Sequence, residues 1–322
     1  MAAKSVKLGF LLPTRGLIMG GDSPANANEI LDLAQRAEEA GFDSVWVGDS
    51  LTAKPRLEPL ATLAAVAGRT ERVRLGTAVL LAALRHPVLL AQTLGTLDLI
   101  SGGRAILTVG AGGAFNAEQK AEWDNAGVKA SQRGRRLEEL VEVVKRLGTE
   151  RSVTFHGRHF QLENVTMEPK PVQPGGAPIL FACHLRAQRE AQFQRTARIG
   201  DGYISISETP EGFAEIGRKV ASYAAEYGRE TANMEAVYYM TVNLKQDEAA
   251  AAKEADAYLM AYYGANIWGH AWGPWGAPER VAERIQQFAE AGADTVIVRL
   301  ASPDQRGQFD TFVNQVLPYL HG

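Results

Sequence analysis

The chain has 322 residues, of which 46% are hydrophobic and 22% charged, and its formal net charge is -3 at pH 7. This composition is typical of a globular protein with a sizeable core, and the small negative charge gives no general field that would attract nucleic acid or an anionic membrane. Cys183 is the only cysteine, which excludes an intramolecular disulfide and a cysteine-based metal cluster and favours a reducing compartment.

No segment of the sequence has the pattern of a signal peptide or a membrane span. The apolar run Leu8–Leu12 is too short for the hydrophobic region of a signal peptide. The longest apolar region, 78–91, is interrupted by Arg85, His86 and Pro87. We therefore expect a cytoplasmic protein whose partners include neither a membrane nor nucleic acid.

In chain order, short apolar runs rich in β-branched residues alternate with longer amphipathic segments. Eight runs are predicted as strands, and several are apolar throughout, as expected for strands buried on both faces. They are VKLGFLL (6–12), FDSVWVG (42–48), VRLGTAVLL (73–81), AILTVGA (105–111), APILFAC (177–183), GYISIS (202–207), MEAVYYMTVNL (234–244) and ADTVIVRL (293–300). Helical patterns lie between them, for example at 27–41, 131–148 and 277–292.

A strand and helix order repeated about eight times predicts a parallel sheet closed into a (β/α)8 TIM barrel. The competing architecture is an open doubly wound sheet, but LLPTRGLIMGG after the first strand lacks the GxGxxG spacing of that fold. Two connections, after strands 4 and 7, are longer than a barrel needs, and such loops are usually functional. We expect a single domain over 1–322, with an insertion at about 113–177 that includes a hairpin-forming segment.

A loop rich in tryptophan and glycine, NIWGHAWGPWGAP, occupies 266–278 just ahead of the eighth unit. Its glycines and prolines exclude a helix or a central strand. Two interpretations are open for Trp268, Trp272 and Trp275. Either they form a lid over a bound cofactor, with His270 near the reacting centre, or they form a rigid aromatic plug in a helix or subunit contact.

Several blocks carry a family resemblance in the right order, namely GFDSVWVGDS, RHPVLLAQTLGTLDLISGGR, FHGRHFQLENVTMEPKPVQ and GAPERVAERIQQFAEAGADTVIVR. Over nearly the whole chain, the sequence resembles the bacterial luciferase-like monooxygenase family, whose members are (β/α)8 barrels that use FMN or coenzyme F420. The resemblance implies an oxidoreductase that transfers oxygen or hydride to a small organic substrate, served by a separate flavin or F420 reductase and assembled as a homodimer. A catalytically inactive flavin-storage barrel is the alternative.

The resemblance also implies positions for the site. Family members often have a non-proline cis peptide at the end of the third strand, which falls on Ala78–Val79, where the alternative is an ordinary buried strand end. Many relatives have Asp-His after the second strand, whereas this sequence has Asp49-Ser50. A serine hydroxyl is a poor general base unaided but can hydrogen-bond the cofactor or an oxygen bound to it.

In this sequence, the residues that bind the cofactor phosphate must differ from those of the relatives. F420 users tend to have a Gly-Gly pair after the fifth strand, and luciferase has an arginine after the fourth. Here these positions read FACHLRAQRE and Ala111. His184, Arg186 and the amides of the next helix are the substitutes, although Arg186 could instead be a solvated residue of the first turn.

Three sets of site residues follow. The predicted catalytic residues are Ser50 and His270, and the predicted substrate contacts are Trp268, Trp272, Trp275 and His86, the last of which could simply hold the turn into the next helix. The predicted cofactor contacts are Asp49, Thr77, Ala78, Val79, Gly110, Gly112, Cys183, His184 and Arg186. No metal site is predicted, since His156 and His159 have no third ligand at metal spacing.

Overall fold

The computed structural model describes residues 6–19, 26–264 and 272–321. Within them, eight parallel strands close on themselves, because each pairs with the next and the last pairs with the first. In barrel order they are β1 (Lys7–Leu11), β2 (Ser44–Val47), β3 (Arg74–Thr77), β4 (Ala105–Val109), β7 (Ile179–Ala182), β8 (Gly202–Ile206), β9 (Glu235–Leu244) and β11 (Thr295–Leu300). The predicted TIM barrel and its eight strands are confirmed.

Helices cover the outside of the barrel. They are α1 (Gly16–Met19), α2 (Asn28–Glu39), α3 (Pro59–Ala67), α4 (Pro87–Ser101), α5 (Ala117–Asn125), α6 (Arg133–Thr149), α7 (Ala191–Ile199), α8 (Pro210–Glu226), α9 (Glu248–Tyr263), α10 (Pro278–Glu290), α11 (Gln305–Thr311) and α12 (Leu317–His321). The sequence sets their ends: α4 begins with Pro87 in its first turn and stops at Gly102, which adopts the left-handed conformation. In α10, Val281, Ile285 and Phe288 recur at helical spacing and are buried.

Both long connections contain structure of their own. After β4, the chain forms α5 and then, beyond α6, an antiparallel hairpin of β5 (Val153–His156) and β6 (Gln161–Val165). After β9, α9 begins at the cap Asp247, whose side chain accepts from two backbone N–H groups. A short strand, β10 (Trp275–Gly276), then pairs in parallel with the carboxyl end of β9. The limits of the domain and of its insertion stay predictions.

The barrel interior is filled around one large ring. Trp46 is fully buried, and its indole N–H donates to Ser44 Oγ over 2.8 Å. The neighbouring strands carry glycines beside this ring: a Cβ added at Gly9 would lie 2.5 Å from Trp46 Nε1, and one added at Gly76 would overlap the six-membered ring. The two glycines therefore create the space that Trp46 occupies.

We expect the substitution Gly76→Ala to lower the free energy of unfolding by about 1 to 3 kcal/mol, because the added methyl overpacks the barrel against Trp46. Denaturant unfolding measures the difference. Gly68→Ala is the control, since Gly68 has a helical φ of -76° and its nearest neighbour to an added Cβ is 3.5 Å away. Equal stability of the two variants would contradict this packing.

Candidate active site

The carboxyl ends of the eight strands open on one face of the barrel, which we call the mouth. Along β3, β4, β7 and β8 the mouth is apolar. Val79, Ala182 and Ile206 are only partly buried there and pack on the interior cluster around Trp46. We call these three residues with Ala78 the apolar half of the mouth.

A cis peptide bond joins Ala78 to Val79 at the end of β3, as the family resemblance implied. The end of β4 runs directly beneath it, since a Cβ added at Gly110 would lie 2.7 Å from Val79 Cγ2. Gly112 follows with a positive φ of 71°, and its carbonyl accepts from Arg133 Nε over 3.1 Å. Three of the predicted cofactor contacts, Ala78, Val79 and Gly110, are thus brought together.

Asp49 and Thr77, which are also predicted cofactor contacts, support the cis segment at Ala78–Val79 from the side. The Asp49 carboxylate is almost fully buried and accepts from the Leu81 amide over 2.9 Å, two residues beyond the cis bond. It is also paired with Arg85 Nη1 at 2.5 Å. Thr77 is buried, and its hydroxyl donates to the Thr108 carbonyl over 2.8 Å, which ties β3 to β4. Both side chains hold the shape of the apolar half.

The Ser50 hydroxyl is engaged within its own loop. It donates to Glu122 Oε1 of α5 over 2.7 Å and accepts from the Lys54 amide over 2.8 Å. The same carboxylate oxygen accepts from the Thr52 and Ala53 amides. Glu122 therefore orders the loop after β2 from the first insertion, a role that sequence patterns did not reveal. A catalytic role for Ser50 stays a prediction.

The segment after β7 contains three more predicted contacts in three different environments. The Cys183 thiol is buried 3.1 Å from Thr196 Oγ1 of α7, so it faces the helical layer, and burial raises its pKa to about 12. Burial lowers the pKa of His184 to about 4, so its imidazole, 3.3 Å from Ser205 Oγ, is neutral near pH 7. Arg186 is exposed. Of the three, Arg186 alone offers a positive charge to a phosphate.

Along β9, β11, β1 and β2 the mouth is cationic and aromatic. Arg299 of β11 is 2% exposed; its Nε donates to Thr241 Oγ1 over 3.0 Å and its Nη1 to the Tyr263 hydroxyl over 2.5 Å. Its guanidinium carbon lies 4.5 Å from the ring of Trp272 and 5.2 Å from that of Tyr239. Among the described residues, nothing hydrogen-bonds Arg299 Nη2.

Two more arginines reach the same place from the loops after β1 and β2. Arg15 donates from Nε to the Tyr262 carbonyl over 2.8 Å, and Arg56 donates from Nη1 to the Tyr262 hydroxyl over 3.2 Å. Both guanidiniums and that of Arg299 lie 5.2 to 5.5 Å from the centre of the Tyr262 ring. We call Arg15, Arg56 and Arg299 the arginine cluster.

The arginine cluster did not emerge from the sequence analysis. A signal for Arg299 was present, because it is a charged residue in the apolar run TVIVRL and shares the interior face of its strand with Ile297. Arg15 carries a weaker signal, because it follows the first strand at the end where a barrel builds its site. Arg56 carries no such signal, since only the fold brings it to Tyr262.

The two described tryptophans of the 266–278 loop are placed differently. Trp272 is buried against Tyr263, with ring centroids 5.6 Å apart, and its ring centre lies 4.5 Å from the guanidinium carbon of Arg299. Trp275 lies in β10 and packs against the aromatic cluster around Tyr258 and Tyr262. Both interpretations of the loop, as a lid over the cofactor and as a plug, stay predictions. Trp268 and His270 lie outside the described residues.

His86 is exposed at the start of α4, where its Nδ1 accepts from the Val88 amide over 3.3 Å. Its ring meets the edge of Phe160 at 5.8 Å. These contacts are those of a residue that holds the turn, and a contact with substrate stays a prediction.

Neither a metal nor a membrane feature is found in the described parts of the chain. No three His, Cys, Asp or Glu side chains stand together there as a metal site would need. No helix there is long and apolar enough to cross a membrane. A shallow crevice lined by Leu94, Val144 and Pro171 lies between α4 and α6 in the helical layer, away from the mouth.

Acidification should destabilise the protein through His184. Because its folded pKa of about 4 is below the ordinary 6.5, the unfolded chain binds more protons between these values. The stability is therefore fully present above pH 6.5 and is lost as the pH falls towards 4, by roughly 3 kcal/mol.

Denaturant unfolding at pH 7 and pH 4.5 tests this, with His184→Asn expected to lose less stability than the unsubstituted protein. His156→Asn is the matched control, because the side chain of His156 is 63% exposed. If both variants lose stability as the unsubstituted protein does, His184 is not held neutral by burial.

Comparison with known proteins agrees with this architecture. Residues 6–271 match the luciferase-like monooxygenase family. Over 317 residues, the chain is 28% identical to an F420-dependent glucose-6-phosphate dehydrogenase of Intrasporangium calvum, which covers 91% of this chain and 95% of that protein. A match of 188 residues at 37% identity to the protein of the same name in Kineococcus radiotolerans covers 56% of this chain and 52% of that one.

Among solved structures, an F420-dependent secondary alcohol dehydrogenase in complex with an F420-acetone adduct superposes with a TM-score of 0.79 over 98% of this chain and 99% of that one. Its sequence identity is 22%, so this likeness shows the fold. The closed barrel and the family match over most of the chain lead to one conclusion. The chain belongs to the luciferase-like monooxygenase family and is a flavin- or F420-dependent oxidoreductase that acts on a small organic substrate.

Proposed function

We propose that the cofactor is F420 and that the reaction is hydride transfer between F420 and a small organic substrate. The observation that carries the proposal is the similarity over 91% of the chain to a dehydrogenase named as F420-dependent. F420, when bound, accepts or gives a hydride at its deazaflavin ring and activates oxygen poorly. The proposal therefore favours a dehydrogenase or reductase over an oxygenase.

Residues in the apolar half of the mouth fit a flat ring with polar edges. Val79, Ala182 and Ile206 present apolar surface that the barrel does not cover completely. Ser207, at the end of β8, has a positive φ of 61°, and its buried hydroxyl has no hydrogen-bond partner among the described residues. A buried hydroxyl of this kind calls for a polar partner, which the edge of a bound cofactor would supply.

We assign parts of this half to parts of the cofactor. The cis segment Ala78–Val79, with Ala182 and Ile206, supports the ring, and the Ser207 hydroxyl bonds its edge. Arg186 supplies charge to the phosphate, because neutral His184 can offer a hydrogen bond but no charge. Asp49 and Thr77 act by holding the cis segment in place.

Two alternatives are less well supported. FMN-based oxygenation lacks the arginine after β4 that luciferase has, since Ala111 occupies that position. An inactive storage barrel would not be expected to match proteins named as dehydrogenases along nearly its whole length.

We also propose that the protein is a homodimer. Leu89, Leu99 and Ile100 on α4 expose 63%, 47% and 55% of their surface, next to the apolar α3. Several exposed apolar side chains on one helix are a candidate contact surface. A cytoplasmic location and a separate reductase stay predictions from the sequence.

Titration of the cofactor-free protein tests the choice of cofactor. F420 should bind at micromolar concentration, and FMN about tenfold or more weakly, as followed by cofactor fluorescence. Binding of FMN tighter than F420 would contradict the proposal.

The same titration with Ala182→Leu tests where the ring lies. The larger side chain should project into the apolar half and weaken F420 binding about tenfold. Ala65→Leu, on the exposed face of α3, is the matched control and should bind F420 normally. Unchanged F420 affinity in Ala182→Leu would show that the ring lies elsewhere.

A further inference from the structure

We propose that Arg299, Arg56 and Arg15 bind an oxyanion group of the substrate, a phosphate monoester or a carboxylate, in the half of the mouth formed by β9, β11, β1 and β2. The assignment of this anion to the substrate rests on the proposed function. The binding of an anion by the cluster does not.

A local excess of positive charge is the first observation. Asp49 helps to raise the pKa of Arg56, but its carboxylate is already paired with Arg85. Three guanidiniums surround the one ring of Tyr262, each with its central carbon within 5.5 Å of the ring centre. In the described parts of the chain, no carboxylate forms a salt bridge with any of the three. Some partly buried arginines elsewhere are paired with a carboxylate, as Arg85 is with Asp49. Others, such as Arg229, donate to backbone carbonyls through both terminal nitrogens. The cluster differs from both kinds because three guanidiniums surround one ring and one of them keeps a buried nitrogen without an acceptor among the described residues.

The second observation is a buried donor that lacks an acceptor. Arg299 uses Nε and Nη1 for Thr241 and Tyr263, and Nη2 is left without a partner among the described residues although the side chain is 98% buried. A buried charged donor without an acceptor is unfavourable, and an anion bound against it removes that cost. The geometry of Arg299 is therefore that of a residue prepared for a ligand.

The surroundings of Arg299 contribute no negative charge and little water. Burial raises the pKa of Tyr239 and of Tyr263, so their hydroxyls stay protonated and add no negative charge. The rings of Tyr239, Tyr263 and Trp272 lie within 5.3 Å of the guanidinium carbon, fix its position and keep solvent away. A fixed guanidinium fork matches the paired oxygens of a phosphate or a carboxylate.

The position of the cluster separates this anion from the cofactor ring. The apolar half lies along β3, β4, β7 and β8, and the cluster lies along the other four strands of the closed barrel. The two halves meet at Gly48, at the end of β2, where Arg56 lies against it. A Cβ added at Gly48 would be 3.8 Å from the Ala78 carbonyl oxygen. A substrate anchored by its anion at the cluster would therefore extend towards the ring.

Isothermal titration of the cofactor-free full chain tests the site, with inorganic phosphate and sodium acetate as probes at constant ionic strength. We expect phosphate to bind, and Arg299→Met and Arg56→Met each to weaken it by about tenfold or more. Arg299→Lys should retain part of the affinity because it keeps a point charge. Arg146→Met is the matched control, since Arg146 pairs with Glu150 on the outside of α6.

The outcomes separate the two proposals. Phosphate affinity above that of acetate identifies a phosphate monoester, and the reverse order identifies a carboxylate. No binding of either probe, or binding unchanged in both Arg299→Met and Arg56→Met, overturns the site. If phosphate competes with F420 in fluorescence titration, the anion belongs to the cofactor and the substrate assignment is overturned. If phosphate binds at the cluster but F420 does not bind at all, the proposed function fails while the anion site stands.

Discussion

A positive charge held inside a closed barrel has to be stabilised by its neighbours, because burial removes it from water. For Arg299, these neighbours are aromatic rings and hydroxyls. Two of the rings belong to Tyr263 and Trp272, which lie on either side of the 265–271 segment, and a third belongs to Tyr262 at the end of α9. Each such contact contributes about 0.5 to 2 kcal/mol, and the larger figure applies to dry sites. Tyr262 and Tyr263 at the end of α9, together with Trp272, therefore keep the charge buried.

The other long connection supports the mouth from the opposite direction. Glu122 of α5 gathers the Ser50 hydroxyl and two backbone amides onto one carboxylate oxygen, which fixes the loop after β2. Asp49, at the start of that loop, reaches the Leu81 amide just beyond the cis peptide. The two long connections thus have separate effects. The connection after β4 orders the segments beside the apolar half, whereas Tyr262, Tyr263 and Trp272 of the connection after β9 enclose Arg299 in the arginine cluster.

The sequence predicted the framework well because its signals are local. Apolar runs of strand length, repeated about eight times, are enough to indicate the closed barrel, and the family resemblance placed the cis bond at Ala78–Val79. The site was harder to predict because its contacts are distant in sequence. Ser50 and Glu122 are 72 residues apart, and Arg15 and Tyr262 are 247 apart.

The residue type and the position in the chain also did not predict where a side chain lies in the fold. Trp272 and Trp275 are three residues apart in the same loop, yet one covers Arg299 and the other joins the edge of β9. Cys183 lies at a strand end, where the sequence analysis expected a cofactor contact, but its thiol faces α7. Side-chain direction at a strand end depends on the last hydrogen bonds of the strand, which no single-sequence pattern specifies.

The central claim is that the mouth is divided between a cofactor ring on its apolar half and an anionic group on its arginine cluster. A crystal structure of the protein with F420 and inorganic phosphate bound tests this division most directly. The account predicts the deazaflavin ring against Ala78–Val79 and Ala182, with phosphate oxygens within hydrogen-bonding distance of Arg299 Nη2. A structure in which the phosphate or carboxylates of F420 itself occupy the arginine cluster would contradict it.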